Sequence, residues 1–109
     1  METVVITGAT GFIGTYLTRE LLNKGIRVYG IGTDVRKLNA ADFGENFVPI
    51  VADFRVYNNL DKYIDEPVDV FYHMAWHGGF TTALKDYSLQ LDNARAACDA
   101  LMSAEKLKC

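Results

Sequence analysis

Apolar positions along this chain alternate between short unbroken runs and stripes of helical spacing. Thr3-Val4-Val5-Ile6-Thr7 is unbroken and β-branched throughout, which predicts a strand buried on both faces. Over residues 12–24, Ile13, Leu17, Leu21 and Leu22 fall on one helical stripe, and Gly25 stops the helix. Residues 27–31 predict a second strand, and the polar stretch 33–46 has room for at most a short helix over 35–41. Phe47-Val48-Pro49-Ile50-Val51 predicts a third strand, confined to a sheet edge because proline cannot donate to an inner ladder. Val56, Leu60 and Ile64 recur at a spacing of four and predict a short helix that Pro67 closes. Residues 68–73 predict a fourth strand, followed by a loop through Trp76-His77-Gly78-Gly79. A final helix over 84–106 carries Leu84, Tyr87, Leu91, Ala94, Cys98 and Leu101 at spacings of three and four.

Strands separated by helical segments in this order predict an α/β domain, a Rossmann-like doubly wound parallel sheet with right-handed crossovers and flanking helices. The expected strand order is 3-2-1-4, which places the proline strand where its chemistry requires. At 109 residues, half of them hydrophobic and 23% charged, the chain has the composition of one small folded domain rather than a disordered segment. Its net charge of −3 gives no electrostatic footprint for nucleic acid or an anionic membrane. No apolar run approaches the ~20 residues that span a bilayer, and Met1-Glu2-Thr3 leads into the first strand without a signal-peptide pattern. Cys98 and Cys109 have neither metal nor redox spacing and are expected to be free thiols in the cytoplasm.

The informative segment is Thr7-Gly8-Ala9-Thr10-Gly11-Phe12-Ile13-Gly14, between the first strand and the first helix. A phosphate site there needs a sharp turn at Gly8, close approach of an anion to the main chain at Gly11, and tight helix packing at Gly14. The anion would then rest on free N–H groups at the positive end of the helix.

This segment resembles the Gly-x-x-Gly-x-x-Gly motif of the extended short-chain dehydrogenase/reductase superfamily, the branch of NAD-dependent epimerases and dehydratases. Three further runs are similar to that family: Val51-Ala52-Asp53-Phe54, Asp69-Val70-Phe71-Tyr72-His73-Met74-Ala75, and Asp92-Asn93 within the last helix. The resemblance implies binding of NAD or NADP through Gly8, Thr10, Gly11, Phe12, Ile13 and Gly14. It implies an adenine contact from the Asp53 carboxylate and the Phe54 N–H, and passage of Met74, Ala75 and Trp76 by the ribose and pyrophosphate. Trp76 departs from the small or polar residue usual there, and core packing is an equal reading of it. Asn93 would pin either ribose or neighbouring backbone. His73 reads as a core imidazole, whereas His77 in the glycine loop is the better candidate for touching substrate.

At the end of the second strand the resemblance puts Gly32, followed by Thr33 and Asp34, where NAD-preferring members carry an acidic residue. Its absence leans toward NADP, with Arg36 and Lys37 as cations for a 2′-phosphate, although Asp34 swinging back to the ribose would restore NAD binding.

Catalysis in this family resembles hydride transfer assisted by a Tyr-x-x-x-Lys pair and a Ser or Thr. Tyr16, Tyr29, Tyr57, Tyr63, Tyr72 and Tyr87 are followed four residues later by Glu20, Thr33, Asp61, Pro67, Trp76 and Leu91, none of them lysine. The expectation is an N-terminal dinucleotide-binding portion, residues 1–109, inactive alone, whose parent acts on a nucleotide sugar and whose second half and substrate domain lie elsewhere. A keto-sugar or carbonyl reductase and a non-catalytic dinucleotide sensor are the alternatives. The unprotected fourth strand and the last helix lead us to expect a homodimer, made by strand or helix pairing and owed to truncation.

Overall fold

The computed structural model describes residues 2–40, 42–77 and 85–109. Ala41, Gly78, Gly79 and Leu84, to which the sequence assigned helix or loop, lie outside these. The elements in order are β1 (Thr3–Thr7), α1 (Phe12–Asn23), β2 (Arg27–Gly32), α2 (Val35–Ala40), β3 (Phe47–Val51), a 3₁₀ segment (Phe54–Tyr63), β4 (Val70–His73) and α3 (Tyr87–Leu107). The strands form one parallel sheet in the order β3-β2-β1-β4, with Thr7 opposite both Ile31 and His73.

Successive residues of β1 serve opposite faces of the sheet. Val4 and Ile6 join Val28, Leu38 and Phe47 on the side covered by α1, while Val5 joins Tyr29, Ile31, Leu60, Ala96 and Ala100 on the side of α3 and the 3₁₀ segment. Pro49 sits on β3 at the sheet edge, as its missing N–H requires. Gly25, at a φ of +79°, ends α1 in a Schellman motif: its N–H reaches the Leu22 carbonyl, and that of Ile26 reaches Leu21.

Four expectations from the sequence are corrected. Ile13 is exposed, because the line of contact between α1 and the sheet runs through buried Gly14 and Thr18, with Leu17, Leu21 and Leu22 packed beside it. The helix expected around Val56, Leu60 and Ile64 is a 3₁₀ segment broken at Asn59 (φ −127°), and Tyr57 rather than Val56 is buried in it beside Leu60. β4 starts at Val70 rather than Val68, since the Asp69 carboxylate occupies the Thr3 N–H at 2.8 Å.

The fourth correction concerns α3. Its stripe of large residues faces outward, with Leu91 70% and Leu101 69% exposed, and Tyr87 and Cys98 are exposed as well. The buried face is Asn93, Ala96, Ala100 and Ser103, about 200° around the helix from the expected one. Small side chains let α3 lie close against the 3₁₀ segment. Ser103 bridges the break in that segment: it accepts from the Leu60 N–H at 3.0 Å and donates to the Tyr57 carbonyl at 2.5 Å.

Candidate functional site

The carboxyl ends of β1, β2 and β4 open into one cleft of about 280 Å³. Its floor is the turn after β1. Gly8 has a φ of +73°, donates its N–H to the Ile31 carbonyl at 2.9 Å, and lies so close to the β4 exit that a Cβ would fall 2.9 Å from Ala75 N and Cα. Gly14 is equally constrained from the helix side, where a Cβ would meet the Gly8 carbonyl oxygen at 2.0 Å. Gly11 differs. Its φ of −72° suits any residue, and an added Cβ would touch only Gly8 O, at 3.3 Å.

Gly11 is also the N-cap of α1, and no side chain caps it. The first-turn N–H groups of Phe12 and Ile13 are therefore left to an external acceptor, at the positive end of a helix with no acidic residue in its first turn. The Phe12 side chain stands out into solvent against Tyr16 (centroids 5.8 Å apart). The cleft is shaped for an anion with a close main-chain approach.

Gly32 and Thr33 form its β2 wall together with Lys37 of α2. A Cβ on Gly32 would make ordinary contact with Leu38, so packing alone does not demand glycine there. Asp34 is occupied elsewhere, its carboxylate accepting from the Arg36 and Lys37 N–H groups (2.9 and 3.4 Å) and capping α2. Lys37, rather than Arg36, lines the cleft.

The β4 wall is Met74, Ala75, Trp76 and His77. The Thr7 hydroxyl organises it by accepting from the N–H groups of Met74 (3.1 Å) and Ala75 (3.3 Å) and lying 2.7 Å from His73 Nδ1. Burial keeps this imidazole below its usual pKa and hence neutral. Tyr57 closes the cleft from below, its phenol pushed up to about 12 by burial, with the Thr7 hydroxyl offsetting part of the shift.

Asn93 is fully buried and holds the loop after β4. Its Oδ1 accepts from His77 N–H at 2.9 Å, and its Nδ2 donates to the His77 carbonyl at 2.8 Å and to Gln90 Oε1 at 3.2 Å. Of the two roles open to Asn93 in the sequence, the backbone bridge is the one seen here. Gln90 Oε1 also accepts from Trp76 Nε1 at 3.0 Å.

Asp53 caps the 3₁₀ segment and is paired with Arg55, whose Nη2 lies 2.7 Å from Oδ2. Its carboxyl is held below the usual range, first by the Arg55 side chain and then by the Arg55 N–H. Phe54 stacks on the His77 ring (4.5 Å). Of the sequence candidates, Gly8, Thr10, Gly11, Gly32, Thr33, Met74, Ala75 and Trp76 are thus brought to one cleft. Asp34, Arg36, Asp53, Phe54 and Asn93 stand beside it, tied to their neighbours. Tyr57 lines it without a sequence signal, because the spacing had pointed to Val56.

A larger hollow, about 430 Å³, lies between the 3₁₀ segment and α3. Arg55 and Arg95 there are matched by Asp92 and Asp99, so it presents no net charge to a ligand, and the glycine cleft is the candidate site. Among the described residues no group of three or more His, Cys, Asp or Glu could hold a metal ion, and no helix is long and apolar enough to cross a membrane.

The chain is 33% identical over 85 residues to the dTDP-6-deoxy-L-talose 4-dehydrogenase (NAD(+)) of Aggregatibacter actinomycetemcomitans, matching 71% of this chain and 28% of that protein. In fold it resembles the UDP-glucose 4-epimerase of Bifidobacterium longum in complex with NAD+ and UDP (TM-score 0.80, 23% identity, 97% of this chain and 34% of that one). It is also similar to an actinorhodin polyketide ketoreductase with NADPH (TM-score 0.78, 25% identity, 97% of this chain and 47% of that one). The chain thus spans about a quarter of the length of the curated relative and at most half of these two structures. Residues 4–109 match the NAD dependent epimerase/dehydratase family, and the chain belongs to that family.

Proposed function

We propose that this chain is the N-terminal dinucleotide-binding portion of an NAD(P)-dependent epimerase or dehydratase acting on a nucleotide sugar, working in the cytoplasm. The observation that carries this reading is Gly11. The fold itself demands glycine at positions 8 and 14, whereas at 11 an alanine would press on one carbonyl oxygen, Gly8 O at 3.3 Å, a contact that a few tenths of an ångström of give would relieve. A diphosphate resting on the Phe12 and Ile13 N–H groups supplies the missing reason, since a Cβ would stand in its path. When bound, the dinucleotide would supply a nicotinamide able to take up or return hydride. The chain's own residues bind and orient: the α1 N-terminus holds the diphosphate, Thr33 and Lys37 face the first ribose, and Trp76 and His77 face the far half.

Calorimetry with ADP-ribose on wild type and Gly11→Ala tests the proposal. The expected result is a folded variant that has lost binding, and equal affinity of the two proteins overturns the reading. The same titrations with NADP and NAD are expected to favour NADP, because Gly32 offers no carboxylate, Asp34 is engaged at the α2 cap and Lys37 lines the cleft. A preference for NAD would reverse that part.

A second reading, a reductase of a keto sugar nucleotide, is favoured by the 4-dehydrogenase relative. We also propose that two copies associate through the outward Leu91–Leu101 face or the open edge of β4. Monomers throughout a sedimentation series would exclude this.

A further inference from the structure

Trp76 is the sole tryptophan of the chain. It lines the glycine cleft and is 51% exposed. It is not left free to turn. Its Nε1–H is committed to Gln90 Oε1, and the same oxygen accepts from Asn93, which grips the main chain of the next residue, His77, on both sides. With the polar edge of the indole satisfied, what it offers a ligand is an oriented aromatic face.

The sheet order says which part of a ligand meets that face. With strands in the order β3-β2-β1-β4, the diphosphate position at Gly11 lies over β1, and Gly32, Thr33 and Lys37 lie on the β2 side. Trp76 follows β4, on the other side of the glycine turn. An extended dinucleotide with one nucleoside over β2 carries its other across to β4, past the point where the strand order reverses.

We infer that Trp76 is the stacking platform for the nicotinamide half of the cofactor, held in orientation by Gln90. This inference rests on the dinucleotide reading above. An electron-poor pyridinium suits the electron-rich indole face. Gln90 is then a positioning residue, acting through the ring.

Because Trp76 is alone, its emission reports the contact directly. The chain is titrated with ADP, NADP and NADPH, following heat and indole fluorescence together. All three are expected to bind, but only the dinucleotides to quench Trp76, with NADPH gaining emission on indole excitation. Trp76→Leu is expected to weaken NADP about tenfold while leaving ADP unchanged, and Trp76→Phe to recover most of the loss. Gln90→Met, which keeps the ring but frees it, is expected to reduce the quench without affecting ADP, and it serves if Trp76→Leu fails to fold. Binding of all three ligands with equal quenching by ADP, or an unchanged NADP-to-ADP ratio in Trp76→Leu, overturns the platform and leaves the site intact. Quenching by a sugar nucleotide but not by NADP assigns the face to substrate and also overturns it. Failure of every ligand to bind overturns the site reading, and the platform with it.

Discussion

Replacing Asn93 by Asp changes one atom in the clamp on the loop after β4 and turns it into a proton-dependent one. The retained oxygen still accepts from His77 N–H, but the former Nδ2 becomes an oxygen facing two acceptors, the His77 carbonyl and Gln90 Oε1, at the present 2.8 and 3.2 Å. The site is fully buried. A carboxyl with no cation beside it and two oxygens against it is held protonated past neutrality. Its folded pKa stands above the unfolded value of ~3.9, so stability is kept below that value and lost as pH rises toward the folded pKa. At acid pH the neutral acid donates its one proton to the His77 carbonyl, and the variant falls short of wild type only by the bond to Gln90 Oε1. From there the gap widens by about 1.4 kcal/mol per pH unit, reaching roughly 4 kcal/mol at neutrality. Asn93→Ala, by contrast, loses the bonds outright and costs about 1–3 kcal/mol at every pH. Urea unfolding of the three proteins from pH 4 to 8 measures this. A gap between Asn93→Asp and wild type that stays flat with pH would refute the argument.

Ser103→Ala removes the bridge between the Tyr57 carbonyl and the Leu60 N–H, leaving two buried backbone groups unpaired, and is expected to cost about 2–4 kcal/mol by denaturant unfolding. A loss below about 0.5 kcal/mol would mean that the segment closes its own 3₁₀ bond and never needed the hydroxyl. The Tyr57 phenol, raised from 10.0 to about 12, adds stability that is complete below pH 10 and declines as pH rises to about 12. The alkaline limb of the stability profile is expected to flatten in Tyr57→Phe, and an unchanged limb would rule the phenol out.

Much of this could be read from residues alone. The β-branched run before Gly8 and the proline in β3 agree with the doubly wound strand order, because one belongs inside the sheet and the other at its edge. The glycine turn is legible for the same reason: each of its residues does one thing. The last helix is where the reading fails. It carries two stripes with spacings of three and four, one large and one small, and periodicity cannot choose between them. Hydrophobicity favours Leu91 and Leu101, whereas the close approach of the 3₁₀ segment favours Ala96, Ala100 and Ser103. Asp34 and Asp53 show a related limit. A carboxylate after a strand can serve a ligand, cap the next turn or do both, and only the positions of the Arg36 and Arg55 N–H groups reveal the capping at Asp34 and Asp53.

The placement of β1 has a consequence for the order in which the molecule can assemble. β1 precedes the other strands along the chain, yet it is flanked on both sides by strands that come later. Thr7 meets Ile31 on one flank and His73 on the other, 66 residues along the chain. Its hydroxyl meets residues 73, 74 and 75 only after that second flank arrives. On a ribosome, β1 and β2 would emerge before β4, with one side of β1 still open, an interval in which that strand is exposed to mispairing. The glycine turn is therefore written first and shaped last, since the wall that fixes Gly8 is the stretch that leaves β4.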